Sequence, residues 1–569
     1  MKKRSSFILF GLILLFFSFA PPCTAKQMAV LVHPFENTGD KEYAWISAGM
    51  TDSVITDLMR IRDISVISNQ DRKKALDEMQ FILSGLAAED KMVKLGKLTG
   101  ANIIFAGSYL VSGNRLRVYA RLVNAETGKV ESTAKIDGTL TAIFDLQDKV
   151  VLSLMGETEK VTVADIKPVS LTEQDRKSIA EKPRASITAY EWRAKGLQAR
   201  DTNPKEALDN FKKALEIDPN YTDALINAGT AAGGTLNLFS EALGYLDKAD
   251  RIFRERNETK SAPYAALMMD IGSVYGNKGQ LDRALEYFRN SQSIRDELGL
   301  QNTAGYAGLM TNIGIVYYNK GQLDRALEYY LKDKSIEDSL GLQNTGGYAA
   351  LISNIGNVYG SRGQLDRAME YYLNSQFIRE RLGLQNTAGY AGLMMNIGSV
   401  YGSKDQVDRA LEYFLNSQSI RDRLGLQNTA GYAGLLNNIG NTYYSKGDLD
   451  RALEYYMKNK SIWDNLGLQN IAGYAALMNN IGNVYGDKGQ VDRALEYYVN
   501  SQSMRDRLGL QNTTGYAGLM MNMASSYEKQ GQRETAGKYF RMAYDAYVKS
   551  GYDGEWKERA LTNAKRLGY

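Results

Sequence analysis

The chain has 569 residues, a formal net charge of +4, one Cys and one His, so it is too long for a single hydrophobic core and at least two domains are expected. A lone Cys and a lone His leave too few ligands for a zinc site and no base beside a thiol, and a near-neutral surface gives no electrostatic reason for nucleic acid. Most Asp and Glu residues recur as helix charges, so the expectation is a protein that is not an enzyme, with no cofactor and no metal.

Residues 1–25 read as an export signal. Lys2, Lys3 and Arg4 form the basic start, Phe7 to Ala20 the apolar stretch, and Cys23-Thr24-Ala25 a small-residue cleavage site. Cleavage after Ala25 leaves a mature chain that starts at Lys26, carries +1 and has no Cys. The expected location is periplasmic. The alternative is a lipid anchor on Cys23, against which stands Pro22 where lipoprotein signals want Gly or Ala. The apolar stretch is shorter than the roughly 20 residues needed to span a bilayer. No later segment could span one either, so the mature chain is expected to lack a transmembrane span.

Residues 26–156 predict a domain of strands interleaved with helices, α/β or α+β. Met28–Phe35 is a buried-strand run closed by Pro34, and Tyr43–Arg62 is an amphipathic helix with Trp45, Ile46, Met50, Val54, Ile55 and Leu58 at helical spacing. Ile64–Ser68 reads as a strand, Asp71–Met79 and Ala88–Leu98 as helices. Asn102–Val111 and Leu116–Val123 form a hairpin around Ser112-Gly113-Asn114. A turn at Ala125–Gly128, a strand near Val130–Ile136 and a helix over Ala142–Met155 complete the domain. His33, on an apolar strand, reads as a packed residue.

The strand–PFEN opening, the strand from Gly100-Ala101 to Gly107-Ser108, and the ARLVNAETG hairpin resemble the envelope domain shared by TolB amino-terminal, FlgO and CsgG-like proteins, over most of 28–135. The resemblance implies an accessory or assembly factor at the cell envelope. His33 stands where such families often carry a small apolar residue. Residues 157–186, with Pro168, Pro183 and little periodicity, read as a linker.

The remainder repeats. Asp270-Ile271-Gly272, Asn312-Ile313-Gly314, Asn354-Ile355-Gly356, Asn396-Ile397-Gly398, Asn438-Ile439-Gly440 and Asn480-Ile481-Gly482 recur every 42 residues, with Asn522-Met523-Ala524 as the last copy. Seven such repeats fill 261–554, shorter ones occupy 187–260, and 555–569 reads as a capping helix. In one repeat, Tyr306, Leu309, Met310, Ile313 and Tyr317 form an apolar stripe on the first helix. Gly314 lies on that stripe despite its cost in a helix, which predicts close helix approach. The second helix begins near Gln322 and carries Leu323, Ala326, Tyr330, Asp333, Ile336 and Leu340. Arg325 and Glu328 are spaced for a weak ion pair. Gly341 closes the helix with a left-handed cap, and Asn344 or Thr345 caps the next. Asp405 replaces the turn glycine in one repeat, a position Asp tolerates.

Gly314, Tyr317, Gly321, Ala326 and Tyr330 occupy signature positions of tetratricopeptide repeats, and the 42-residue period resembles the long form found in kinesin light chain and Pins/LGN adaptors. Ala207, Phe211, Ala214 and Pro219 resemble the 34-residue form. The resemblance implies an all-α superhelical solenoid with a concave groove for a protein or extended peptide.

Away from its stripe, the first helix carries a second face. It holds Gly434, Asn437, Asn438, Asn441 and Ser445 in one repeat and Ala476, Asn479, Asn480, Asn483 and Asp487 in the next. A helix gains nothing intrinsic from repeated Asn. Its amide offers both donor and acceptor, as an extended peptide requires. The family resemblance places Asn312, Asn354, Asn396, Asn438, Asn480 and Asn522 at a commonly used ligand position; the alternative is that each Asn bonds a neighbouring repeat and fixes the stacking. The expected function is an exported envelope scaffold that holds a partner protein or peptide. The alternative is an oligomeric accessory component of a secretion or surface-assembly system, acting through the CsgG/FlgO-like domain.

Overall fold

The structure, a computed structural model, describes residues 28–61, 64–67, 72, 75–76, 88–156, 169–181, 184–234 and 236–569. The expected export signal with Cys23, the expected mature terminus at Lys26, most of the helix expected at Asp71–Met79, and 157–168 and 182–183 of the expected linker lie outside these residues. The chain divides into two compact bodies, one ending at Gly305 and one running from Tyr306 to the C-terminus. Among the described residues no helix is long and apolar enough to cross a membrane.

The first body opens with a mixed sheet of order β3-β1-β4-β5-β6, with β2 paired to β4. Its strands are β1 (Met28–Val32), β2 (Glu36–Asn37), β3 (Ile64–Val66), β4 (Ile103–Ser112), β5 (Arg115–Asn124) and β6 (Val130–Thr139). β1 runs parallel to β3 and β4. Val30 and Leu31, which point to opposite faces, are both buried, as expected of a central parallel strand. The expected hairpin joins β4 to β5, with Gly113 at φ +59° in its turn. β6 runs past Ile136 to Thr139, staying paired with β5 through Leu116 and Arg115, and Gly138 leaves room for Leu146 of α3 (Ile143–Gly156): a Cβ there would lie 2.7 Å from Leu146 Cδ2. Between β2 and β3, α1 (Trp45–Leu58) buries its predicted stripe against the sheet. It ends at Leu58, short of Arg62, in i→i+3 bonds from Arg60 and Ile61 to Asp57 and Leu58. α2 (Ala88–Thr99) follows β3.

The segment expected to be a linker contains a helix, α4 (Glu173–Ala180). Thr172 accepts from the Asp175 amide, and the Asp175 carboxylate accepts from the Thr172 amide. This reciprocal cap satisfies two orphan donors and explains the start. Val169 and Ile179, on either side of it, are buried in the core of the sheet domain.

The next helix, α5 (Ile187–Ala199), opens the shorter repeats and enters the same core through Tyr190 and Ala194. Tyr190 packs edge-on to Trp45 with ring centroids 6.0 Å apart, and Gly49 of α1 leaves the room: a Cβ there would lie 2.5 Å from the Tyr190 hydroxyl. Beside it, the fully buried Arg193 pairs with Asp52 of α1 and donates from Nε to Asn227 Oδ1 at 2.9 Å. Removing one partner of such a pair strands a buried charge at a cost of about 3–5 kcal/mol. Further along, Asn203 caps the helix Pro204–Ile217, which has Pro at its start, and Phe211 fits over Gly196.

The second body is a series of antiparallel helix pairs. Tyr306, Leu309, Met310, Ile313 and Tyr317 are all buried. The expected close approach is present: a Cβ on Gly314 would lie 2.5 Å from the Tyr330 ring, and Gly356, Gly398, Gly440 and Gly482 meet Tyr372, Phe414, Tyr456 and Tyr498 in the same way. In three repeats a second-helix serine locks the pair further. Ser375, Ser417 and Ser501 donate from Oγ to the carbonyls of Ala349, Ala391 and Ala475 at 2.6–2.7 Å. Asp333 holds that position in another repeat and accepts from Thr311. Gly341 caps its helix at φ +74°, Asp405 turns at φ +59°, and Thr345 accepts from the Tyr348 amide at 3.1 Å. The expected Arg325–Glu328 pair does not form. Arg325 lies over the Tyr317 ring, 5.5 Å from its centre, and Glu328 accepts from Lys332 Nζ at 2.8 Å. An exposed ion pair gains little against side-chain entropy, and the face of the buried Tyr317 ring offers the guanidinium a competing cation–π contact. The helix Glu555–Arg566 closes the series by burying Ala560 and Ala564, and Tyr569 covers Gly537.

Arg193→Ala is therefore expected to lower the unfolding free energy by about 3 kcal/mol or more, read by urea denaturation followed by near-ultraviolet circular dichroism. An unchanged midpoint would show that α5 is not anchored through this pair.

A candidate partner-binding face on the first helices

Burying the stripe of each first helix leaves the asparagine-bearing strip half-buried, with Asn441 exposed. In three repeats the ring that covers the glycine reaches this strip with its hydroxyl. Tyr372, Tyr456 and Tyr498 donate from their hydroxyls to Oδ1 of Asn357, Asn441 and Asn483 at 2.8, 2.6 and 2.9 Å. Burial pushes the pKa of all three phenols up, so they keep their protons and act as donors.

The following repeat supplies a second donor to the same oxygens. Asn396 Nδ2 donates to Asn357 Oδ1 at 2.9 Å. Asn480 Nδ2 donates to Asn437 Oδ1 and Asn441 Oδ1 at 3.4 and 3.2 Å, and Asn522 Nδ2 donates to Asn479 Oδ1 and Asn483 Oδ1 at 3.1 and 2.9 Å. With the oxygens of Asn357, Asn441 and Asn483 each accepting two hydrogen bonds, what these side chains have left to offer is Nδ2–H. Asn480 and Asn522, whose amino groups are engaged, present Oδ1 as acceptor.

The predicted ladder therefore divides. Asn396, Asn480 and Asn522 tie each repeat to the one before it, as the stacking alternative required. Among the described residues, Asn312, Asn354 and Asn438 find no side-chain hydrogen-bond partner. For two of these the neighbour explains it. Asn354 follows a repeat with Thr311, which is turned to Asp333, and apolar Ile315. Asn438 follows Met395 and Ser399, and Ser399 donates to its own helix at the Met395 carbonyl. At the same register in the first body stands Asp270. Burial pushes its carboxyl up to about 7, against the opposing pull of Arg295.

Asn357 and the tyrosine hydroxyls were missed in the sequence. Asn357 shares the register of Asn441 and Asn483, which is the signal that could have found it. Guanidinium groups were missed as well. Arg379, Arg421 and Arg505 reach from a second helix to the next first helix, where a Cβ on Gly389, Gly431 or Gly515 would lie 2.8–3.0 Å from Nη1. Burial pulls the pKa of Arg421 and Arg505 down. His33 lies one residue past β1, half-buried, with Nδ1 3.0 Å from the Pro34 carbonyl. Among the described residues no group of three His, Cys, Asp or Glu side chains is placed to hold a metal ion.

Four sequence models described as tetratricopeptide repeat match residues 265–297, 307–336, 431–507 and 519–550. A protein of Rhizobium meliloti (strain 1021) named "Putative adenylate cyclase 3" is 25% identical over 240 residues, 40% of this chain. The chain spans only 38% of that relative's length. Among solved structures, BtubC (BKLC) from P. vanneervenii is 20% identical, with 41% of this chain and 92% of that chain covered and a TM-score of 0.34. The Podosopora anserina "putative kinesin light chain nearly identical TPR-like repeats" is 15% identical, with 37% and 99% covered and a TM-score of 0.32.

Proposed function

The long repeats are tetratricopeptide repeats, a type that mediates protein–protein interaction, and from that premise we propose that the chain is an exported, non-catalytic scaffold of the cell envelope. Its first-helix face binds an extended segment of a partner protein. The observation that carries this reading is the set of unengaged, half-buried amides of Asn312, Asn354 and Asn438, beside donors and acceptors whose direction is fixed by neighbouring repeats. Half-buried, these amides are open to solvent, and a peptide backbone laid along the face would exchange their hydrogen bonds to water for hydrogen bonds to the partner. The face carries few charges, so binding should depend weakly on salt. The sheet domain, by its resemblance to TolB amino-terminal, FlgO and CsgG-like domains, would dock the scaffold to an envelope assembly. What the name of the Rhizobium relative states belongs to that protein; a sequence with one His and one Cys supports a binding role.

Two measurements test this. Affinity capture from envelope extract with the full chain should recover a partner that the combined Asn312→Ala, Asn354→Ala and Asn438→Ala variant loses at least tenfold, its melt unchanged. The Asn396→Ala, Asn480→Ala and Asn522→Ala variant should instead lose stability, about 1 kcal/mol per engaged amide. Equal capture by the first variant would reject the face as the site. The export reading predicts, by mass spectrometry of envelope material, a chain beginning at Lys26; a lipid-modified Cys23 at the terminus would replace it with membrane anchoring.

A further inference from the structure

β6 ends the sheet. It is 10 residues long, and among the described residues it pairs with β5 alone. The pairing fixes which of its backbone groups are used. Leu140 donates its amide to the Asn114 carbonyl. Counting back from there in steps of two along the antiparallel register turns the N–H and C=O of Gly138, Ile136, Ala134 and Ser132 toward β5. Those of Thr133, Lys135, Asp137 and Thr139 point to the free edge, and among the described residues no backbone hydrogen bond uses them. The side chains of these four residues are exposed.

An unpaired row of this kind is a template for another strand, and proteins blunt such rows with bulges, Pro or charges of one sign. Here the register shift at Leu122/Val123 lies before Ser132 and leaves Thr133–Thr139 regular, and that stretch has no Pro. Its two charges, Lys135 and Asp137, have opposite signs and lie on one face.

The outward groups restrict how a second copy could join this edge antiparallel. Centred on Lys135 the strands would set two lysines against each other, and centred on Asp137 two aspartates. Centred on Ala134 they would set Asp137 against Glu131. Centred on Ile136, the four outward residues of one copy meet all four of the other. Lys135 then faces Asp137 of the second copy, Asp137 faces its Lys135, and Thr133 and Thr139 face each other at both ends. Unlike charges and Thr–Thr pairs directly opposite stabilise a ladder, whereas like charges oppose it. On the other face the half-buried Ile136 falls opposite itself as a non-hydrogen-bonded pair, where side chains come closest. Within one copy Arg117 already donates to Asp137 at 2.5 Å, and Lys135 lies 5.8 Å from the centre of the Tyr119 ring. The joined sheet would extend both contacts into one row: Arg117, Asp137, then Lys135 and Tyr119 of the second copy.

We infer that the sheet domain forms a twofold dimer in which β6 pairs with β6 of a second copy of this chain, antiparallel about Ile136. The contact uses the same patch on both copies and closes on itself, so it yields a dimer and no larger ring. Each dimer carries two repeat arrays.

Sedimentation velocity of the chain from Lys26 onward tests this. The unaltered chain is expected to be a dimer at micromolar concentration. Lys135→Asp sets carboxylate against carboxylate in both charge pairs, and Asp137→Lys sets ammonium against ammonium. Each substitution alone is expected to weaken the dimer about tenfold or more, with the circular dichroism spectrum retained because both side chains are exposed. Mixed one to one, the two variants should regain the dimer, since the introduced carboxylate of one faces the introduced ammonium of the other while native Lys135 faces native Asp137. The mixture also guards against a substitution that merely loosens the fold, which mixing would not rescue. An unaltered chain that stays monomeric, a dimer indifferent to both substitutions, or a mixture that remains monomeric overturns the inference. In the first case the edge is left for a strand of another protein.

Discussion

Each long repeat of the second body depends on how closely its two helices approach, and that distance is fixed where an aromatic ring of the second helix meets a small residue of the first. A Cβ at Gly440 would lie 2.5 Å from the Tyr456 ring, so a side chain there must push the helices apart or turn the ring. The glycine costs the helix about 1 kcal/mol of propensity, which the burial of a whole ring offsets. In the last repeat Ala524 and Phe540 occupy the corresponding positions.

The approach sets more than packing. A tyrosine packed against the glycine brings its hydroxyl to the next residue of the same helix, where it fixes the amide of Asn357, Asn441 or Asn483. That amide then accepts from the next repeat. One buried contact thus orients a surface amide and couples two repeats, and substitution of Phe for Tyr removes the orientation while leaving the packing. The asparagines that bridge repeats and those left unengaged share one register, and what the preceding repeat offers decides which is which.

Much of this was legible in the sequence because it is local or periodic. The 42-residue period, the buried stripe around Ile313, the left-handed positions at Gly341 and Asp405 and the cap by Thr345 follow from spacing and backbone conformation, and the structure shows each. What was not legible depends on pairing across sequence distance. The Asp52–Arg193 pair and the entry of Tyr190 into the sheet core join segments that no local pattern relates. Helix α4 was passed over because its signal is a single Thr172–Asp175 box in a charged stretch, and its apolar contribution is mainly Ile179. Arg325 was assigned to a neighbouring carboxylate by spacing alone, whereas in the structure it lies over the buried Tyr317 ring.

The central claim is that the ladder amides differ in engagement although they share one register. Selective 15N labelling of asparagine in the full chain, followed by side-chain amide proton exchange, reads this directly. The account predicts slowed exchange at Nδ2 of Asn396, Asn480 and Asn522, and rates near those of a free amide at Asn312, Asn354 and Asn438. One common rate across all six would contradict it.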